Sequence, residues 1–162
     1  MSALAQQNTT FAGVSTISIS LIMKNNRKIT EIIVHCTASR ASGKIGASDI
    51  DTEHRCRGFR SIGYHYVVRT DGRIEPGRPE TEVGAHCLGH NNHSIGVAYV
   101  GGLDRAGRPA DTRTAEQRKS LELLLKGLLR KYPHSSIFGH RDFARKDCPC
   151  FDATIEYKDL EP

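Results

Sequence analysis

No stretch of the 162-residue sequence approaches the ~20 consecutive apolar residues of a membrane-spanning helix, which excludes membrane insertion by that route. No internal repeat occurs, and no low-complexity tract follows the first two dozen residues, so the chain is not a repeat array. The 23 Lys and Arg are dispersed, with neither aromatic interleaving nor a recognition-helix pattern, which argues against a nucleic-acid binder. Cysteines number five, an odd count at irregular spacing (Cys36, Cys56, Cys87, Cys148, Cys150). That argues against a disulfide framework and for reduced thiols or a metal ligand. Cys148 and Cys150 lack the C-x2-C spacing of a zinc knuckle and are not expected to act as a ligand pair. Cys36, Cys56 and Cys87 read as small buried hydrophobes. An export signal is also missing: the first basic residue is Lys24, Gln6 to Thr10 is polar, and Ile17 to Met23 is broken by Ser18 and Ser20. Residues 1–27 read as a flexible leader or an added edge strand, and synthesis in the cytoplasm is expected.

What is present fits one soluble domain over residues 28–162. Apolar residues make up 38% and charged residues 25%, enough for a single hydrophobic core. The net charge of +5 favours approach to polyanions of any kind. Ile29 to Val34 is short and β-branched, suiting a buried strand that ends at His35. A loop from Thr37 to Ala47 follows, then a short helix to about Arg57 with Ser48 or Asp49 as N-cap. Asp71-Gly72 between Tyr64–Arg69 and Arg73–Glu75 predicts a hairpin. Ser94 to Val100 reads as a second buried strand. Thr114-Ala115-Glu116-Gln117 fits a capping box, and Leu121, Leu124, Leu125, Leu128 and Leu129 repeat at helical spacing. Gly127 weakens that helix and Pro133 ends it. Ser135 to Phe138 is a last strand. The fold class expected is α/β: a single domain with a central mixed β-sheet flanked by α-helices.

The chemistry gathers around His35 and His140, each at a strand end, and Cys148, eight residues after the second. Imidazole nitrogen and thiolate are donors that Zn2+ prefers, and three protein ligands leave an open position, as in a catalytic zinc site. Eight histidines in one chain offer several such trios by chance. Taken singly, Tyr64 reads equally as a core aromatic and Lys146 as a solvated loop charge.

The surrounding motifs change that balance. Ile32-Ile33-Val34-His35-Cys36-Thr37-Ala38, Gly63-Tyr64-His65, Gly84-Ala85-His86, Asn92-His93-Ser94-Ile95-Gly96 and Gly139-His140-Arg141-Asp142 occur in one order, followed by Lys146-Asp147-Cys148-Pro149-Cys150-Phe151-Asp152. Together they resemble the zinc N-acetylmuramoyl-L-alanine amidases of the bacteriophage T7 lysozyme type, relatives of the peptidoglycan recognition proteins, over residues 29–152. The resemblance implies one Zn2+ per chain on His35, His140 and Cys148, with Tyr64 and Lys146 as catalytic residues. It places His86, Asn92 and Ser94 along the groove for the stem peptide, and Arg78 is a candidate partner for a stem carboxylate. Glu53 and Glu75 rank low as a general base; His65 reads as structural; His54, His90 and His134 carry no signal.

The implied activity is hydrolysis of the bond between the N-acetylmuramic acid lactyl group and L-alanine. Such a chain would act as a monomer on bacterial peptidoglycan or muropeptides after release or export. Two alternatives accompany it: a peptidoglycan-binding module without catalysis, and an amidase that also inhibits an RNA polymerase.

Overall fold

The computed structural model describes residues 27–160; the leader expected over residues 1–27 lies outside them except for Arg27. In chain order the elements are β1 (Glu31–Cys36), β2 (Ser39–Arg40), α1 (Ala47–Cys56), β3 (Tyr66–Val68), β4 (Ile74–Pro76), β5 (Ser94–Tyr99), β6 (Gly102–Leu103), α2 (Ala115–Lys131), β7 (Ser136–Gly139) and α3 (Ala153–Glu156). The main sheet runs β4-β3-β5-β1-β7, parallel throughout except for the β3–β4 hairpin. This is the single-domain mixed α/β sheet read from the sequence. β1 lies between β5 and β7 and is buried on both faces from Ile32 to Cys36, which explains its β-branched, apolar character.

Alternation along β1 sorts the two faces. Ile32, Val34 and Cys36 join Ile95, Val97 and Tyr99 beneath Leu121, Leu125, Leu128 and Leu129 of α2. Glu31, Ile33 and His35 point the other way, to the side where Ile50 of α1 packs with Ile62, Val67 and Val100. One face of the sheet therefore carries the core, and the other carries the chemistry.

α2 begins as its capping box requires: Thr114 Oγ1 accepts from Gln117 N–H at 3.0 Å, and Gln117 Oε1 accepts from Thr114 N–H at 3.0 Å. The amide nitrogen of Gln117, fully buried, also donates to Val68 O (3.1 Å) and Val100 O (3.0 Å), fastening the helix to the ends of β3 and β5. Gly127 is exposed and a Cβ there would meet nothing within 4 Å. Gly127→Ala is therefore expected to raise stability by up to about 1 kcal/mol, read as a higher urea midpoint at unchanged slope.

Three boundaries differ from expectation. β1 runs two residues beyond Val34, because its ladder with β5 continues through His35↔Ala98 and Cys36↔Tyr99. His35 is thus held inside a central strand rather than beyond its end. The expected loop after Thr37 contains β2, which pairs with β6 in a separate small sheet. α1 starts at Ala47, and Gly46, having no side chain, cannot cap it. The Glu75 carboxylate does so instead, accepting from Ala47 N–H at 2.7 Å while pairing with Arg69 at 2.9 Å.

Two arginines, Arg27 partly buried and Arg113 buried, hold the periphery. Arg27, placed in the leader by the sequence reading, belongs to the domain: its guanidinium donates to the carbonyls of Glu80, Glu82, Asn91 and Ser94 at 2.7–2.8 Å. Arg113 pairs with Asp111 and Glu156 and lies 3.2 Å over the Phe151 ring. Burial alone would raise the Asp111 carboxyl; the bonds and charge of Arg113, with help from Arg118, outweigh it and hold the group down at about 2. A pKa below the ordinary 3.8 means the stabilisation is complete above the unfolded value and drains away as pH falls toward the folded one. Asp111→Asn is expected to cost on the order of 2 kcal/mol near pH 7. The difference should vanish below about pH 2 in paired urea titrations.

Candidate active site

Three segments converge on the face of β1 opposite α2. β1 itself supplies His35. β7 runs straight into a single 3-10 turn at His140–Asp142, which fixes His140. The loop carrying Cys148 is drawn back by Arg141 N–H donating to Cys148 O (2.7 Å) and by the buried Tyr99 hydroxyl donating to Pro149 O (2.7 Å). Gly139 permits this approach, since a Cβ there would sit 2.9 Å from Pro149 Cδ.

The ligand-capable atoms of His35, His140 and Cys148 all lie within 4.8 Å of one another. His35 Nδ1 is 3.8 Å from Cys148 Sγ. Two donors bound at ~2.0–2.1 and ~2.3 Å to one tetrahedral ion stand about 3.6 Å apart, so the separation suits a shared zinc. The electrostatics agree. Burial, then the neighbouring His86, His140 and Lys146, depress the His35 pKa far below its ordinary value, and burial and Lys146 depress that of His140. Both rings are thus neutral, with lone pairs to give. The Cys148 thiol is lowered by its hydrogen bond from the Cys36 thiol, opposed by burial and reinforced by Cys36 N–H at 3.3 Å.

A relay behind His35 fixes its tautomer. With Nδ1 aimed into the site, Nε2–H donates to His86 Nδ1 at 3.0 Å; His86 Nε2 faces Ser94 Oγ at 3.4 Å, and Ser94 donates to His90 O at 2.8 Å. These protons are inferred from the network. His86 packs directly over Gly96, where a Cβ would meet the ring at 2.5 Å. Such outer partners typically hold 10- to 100-fold in metal affinity. His86→Ala is expected to weaken zinc binding within that range while far-ultraviolet circular dichroism stays unchanged; undiminished affinity in a competitive chelator titration would contradict the relay.

His140 and Cys148 open onto a cleft of about 730 Å3, which Tyr64 and Lys146 also line, while His35 is buried and stays out of its lining. The Tyr64 ring lies 5.2 Å from that of His35. Burial, then Cys148 and Cys36, push its phenol above the ordinary tyrosine range, so it remains a hydrogen-bond donor. Lys146 is exposed on the loop two residues before Cys148.

The groove residues expected from the resemblance sort differently. His86 lines the cleft but is nine-tenths buried behind His35. Ser94 is fully buried and is spent on His90 O, so it contacts no substrate. Asn92 is exposed and stands outside the lining, which its neighbour Asn91 joins. Arg78 is buried with its guanidinium donating to Ile62 O, Val83 O and Ser61 O at 2.6–3.1 Å. It staples loops rather than waiting for a carboxylate. His65, read as structural, is buried and accepts from Gly96 N–H at 2.9 Å. Neither Glu53 nor Glu75 lines the cleft. All five cysteines are free, as expected; Cys36 and Cys87 are buried, but Cys56, at the end of α1, is exposed.

Sequence reading missed His54, Arg57, Phe59, Leu88 and Phe143 on the cleft walls. His54 is buried, accepts from Gly63 N–H at 2.9 Å and faces Tyr64 across 5.4 Å. Its spacing of four from the buried Ile50 on α1 was the available signal.

Comparison with known proteins places this geometry. Residues 25–151 match the family model for N-acetylmuramoyl-L-alanine amidase. The endolysin of Enterobacteria phage T3 is 43% identical over 127 residues, covering 78% of this chain and 84% of that one. The endolysin of Escherichia phage T7 is 40% identical over 129 residues, 80% and 85% of the two chains. Among solved structures, the N-acetylmuramoyl-L-alanine amidase LysC from Clostridium intestinale URNW superposes with a TM-score of 0.72 at 31% identity, over 84% of this chain and 87% of that one. Bumblebee PGRP-SA, at 22% identity and a TM-score of 0.69 over 83% of each chain, shares the fold. The chain belongs to the N-acetylmuramoyl-L-alanine amidase family.

Proposed function

We propose that the protein hydrolyses the amide between the N-acetylmuramic acid lactyl group and the L-alanine of the stem peptide in bacterial peptidoglycan. The convergence of His35, His140 and Cys148, the last two lining a cleft that Tyr64 and Lys146 also wall, carries this reading. A Zn2+ ion held by those three side chains would supply Lewis acidity toward the scissile carbonyl and bring the pKa of a water toward ~7. The remaining work falls to the chain itself. The His86–Ser94 relay keeps the His35 ring in one orientation, and the Cys36 N–H and S–H groups stabilise the Cys148 thiolate. Tyr64, kept protonated, donates a hydrogen bond toward the carbonyl oxygen as charge builds on it. Lys146 sets a positive charge beside the same oxygen, where a fixed donor is worth roughly 3 kcal/mol.

The cleft favours an anionic substrate. Arg57 and Lys146 line it, and no acidic side chain does so among the described residues. A stem peptide carries free carboxylates, and the apolar Leu88, Phe59 and Phe143 offer contact to its side chains. No described helix is long and apolar enough to cross a membrane. The protein acts on the cell wall once it reaches it, and residues 27–160 form the catalytic domain.

Product analysis on purified peptidoglycan tests this. Free stem peptides with an L-alanine amino terminus and intact glycan strands are expected. New reducing sugar ends, or retention of wall fragments without cleavage, would overturn it, the latter in favour of a binding module.

A further inference from the structure

A second cluster of metal-ligating side chains lies on the same face of the sheet as His35, four residues back along β1. At about 3.3 Å per residue this is roughly 13 Å along the strand. Glu31, at the start of β1, meets His90 and His93, which bracket the turn leading into β5. His90 Nδ1 stands 2.9 Å, and His93 Nε2 3.3 Å, from the same oxygen, Glu31 Oε2. All three ligand atoms lie within 4.8 Å of one another. Donors bound at ~2.0–2.2 Å to one ion at angles between 90° and tetrahedral are separated by about 2.9–3.5 Å, which both distances match.

We propose that Glu31, His90 and His93 form a second metal site, separate from the catalytic one, for a divalent transition ion of borderline softness such as Zn2+. Two imidazoles and one carboxylate make a donor set suited to zinc, copper or nickel and poorly suited to calcium or magnesium. The backbone holds the donors in place. Glu31 is fixed in the ladder opposite Ser94 and Ser136. His93 closes the 3-10 turn Asn91–His93. The His90 ring stacks on Phe143 at 3.8 Å between centroids, and its carbonyl is anchored by Ser94. The side chains are partly exposed, at 16%, 28% and 39% for Glu31, His90 and His93. Such a site exchanges with solvent and binds more weakly than the buried trio. Phe143 walls the catalytic cleft, so an ion here would brace that wall through His90.

The test is metal stoichiometry of the full chain dialysed against excess Zn2+, with Glu31→Gln and His93→Ala beside the parent and circular dichroism as the check on fold. Two equivalents in the parent and one in each variant are expected, with a Zn2+-dependent rise in Tm that both variants reduce. Cys148→Ser should retain the one equivalent at this second site. A single equivalent in the parent, or two that survive both substitutions, would overturn the proposal and leave a hydrogen-bonded histidine–glutamate cluster only. That failure is distinguishable from failure of the catalytic reading, in which Cys148→Ser would lose no metal at all.

Discussion

Cys148→Ser is expected to remove the metal of the catalytic site and the amidase turnover together. The pocket is built for a sulfur anion: Cys36 N–H points at Cys148 Sγ at 3.3 Å. The Cys36 thiol is pushed up first by its bond to Cys148 and next by burial, so it stays protonated and donating. A serine hydroxyl remains neutral in that setting and is too short and too hard to replace the thiolate. Loss of an orienting partner alone typically costs up to ~100-fold in affinity, and loss of a ligand should exceed that. Cys148→Asp, which restores a charged donor, should recover part of the metal and part of the rate. Full activity in the serine variant, with zinc retained at this site, would remove Cys148 from the ligand set.

Lys146→Ala should separate chemistry from metal binding. Lys146 lines the cleft from the exposed side of the Cys148 loop and touches none of the ligand-fixing bonds described above. If its charge faces the developing oxyanion, its removal lowers kcat by roughly 10²- to 10³-fold while bound zinc and KM change little. Lys146→Arg should restore a measurable fraction of the rate, because charge at that position is what the reaction uses. A fall in zinc content matching the fall in rate would make Lys146 a metal-site residue instead.

Much of this was legible in the sequence, for reasons that differ by element. Short β-branched and apolar runs exposed β1 and β5, which are buried on both faces, and leucine spacing exposed α2, which buries one regular face against the core. Asp71-Gly72 marked the hairpin because Gly72 adopts a φ of +82°, a conformation glycine takes at little cost. The metal trio was visible through its motifs, since no local periodicity links His35 to Cys148. The second line of residues was not. Arg78, Ser94 and His86 bear the polar groups expected of a binding groove, and only burial shows that their donors are already committed within the fold. Glu75, a low-ranked base candidate in the sequence, likewise proves committed, since the start of α1 rests on its carboxylate. Sequence records which donors exist, whereas packing decides which remain available.

Zinc-edge X-ray absorption on the His93→Ala chain loaded with one equivalent of Zn2+ tests the central claim most directly. The account predicts one sulfur at about 2.3 Å and two imidazole nitrogens at about 2.0–2.1 Å, with the sulfur lost in the Cys148→Ser double variant. A first shell without sulfur, or one unchanged by that substitution, would contradict it.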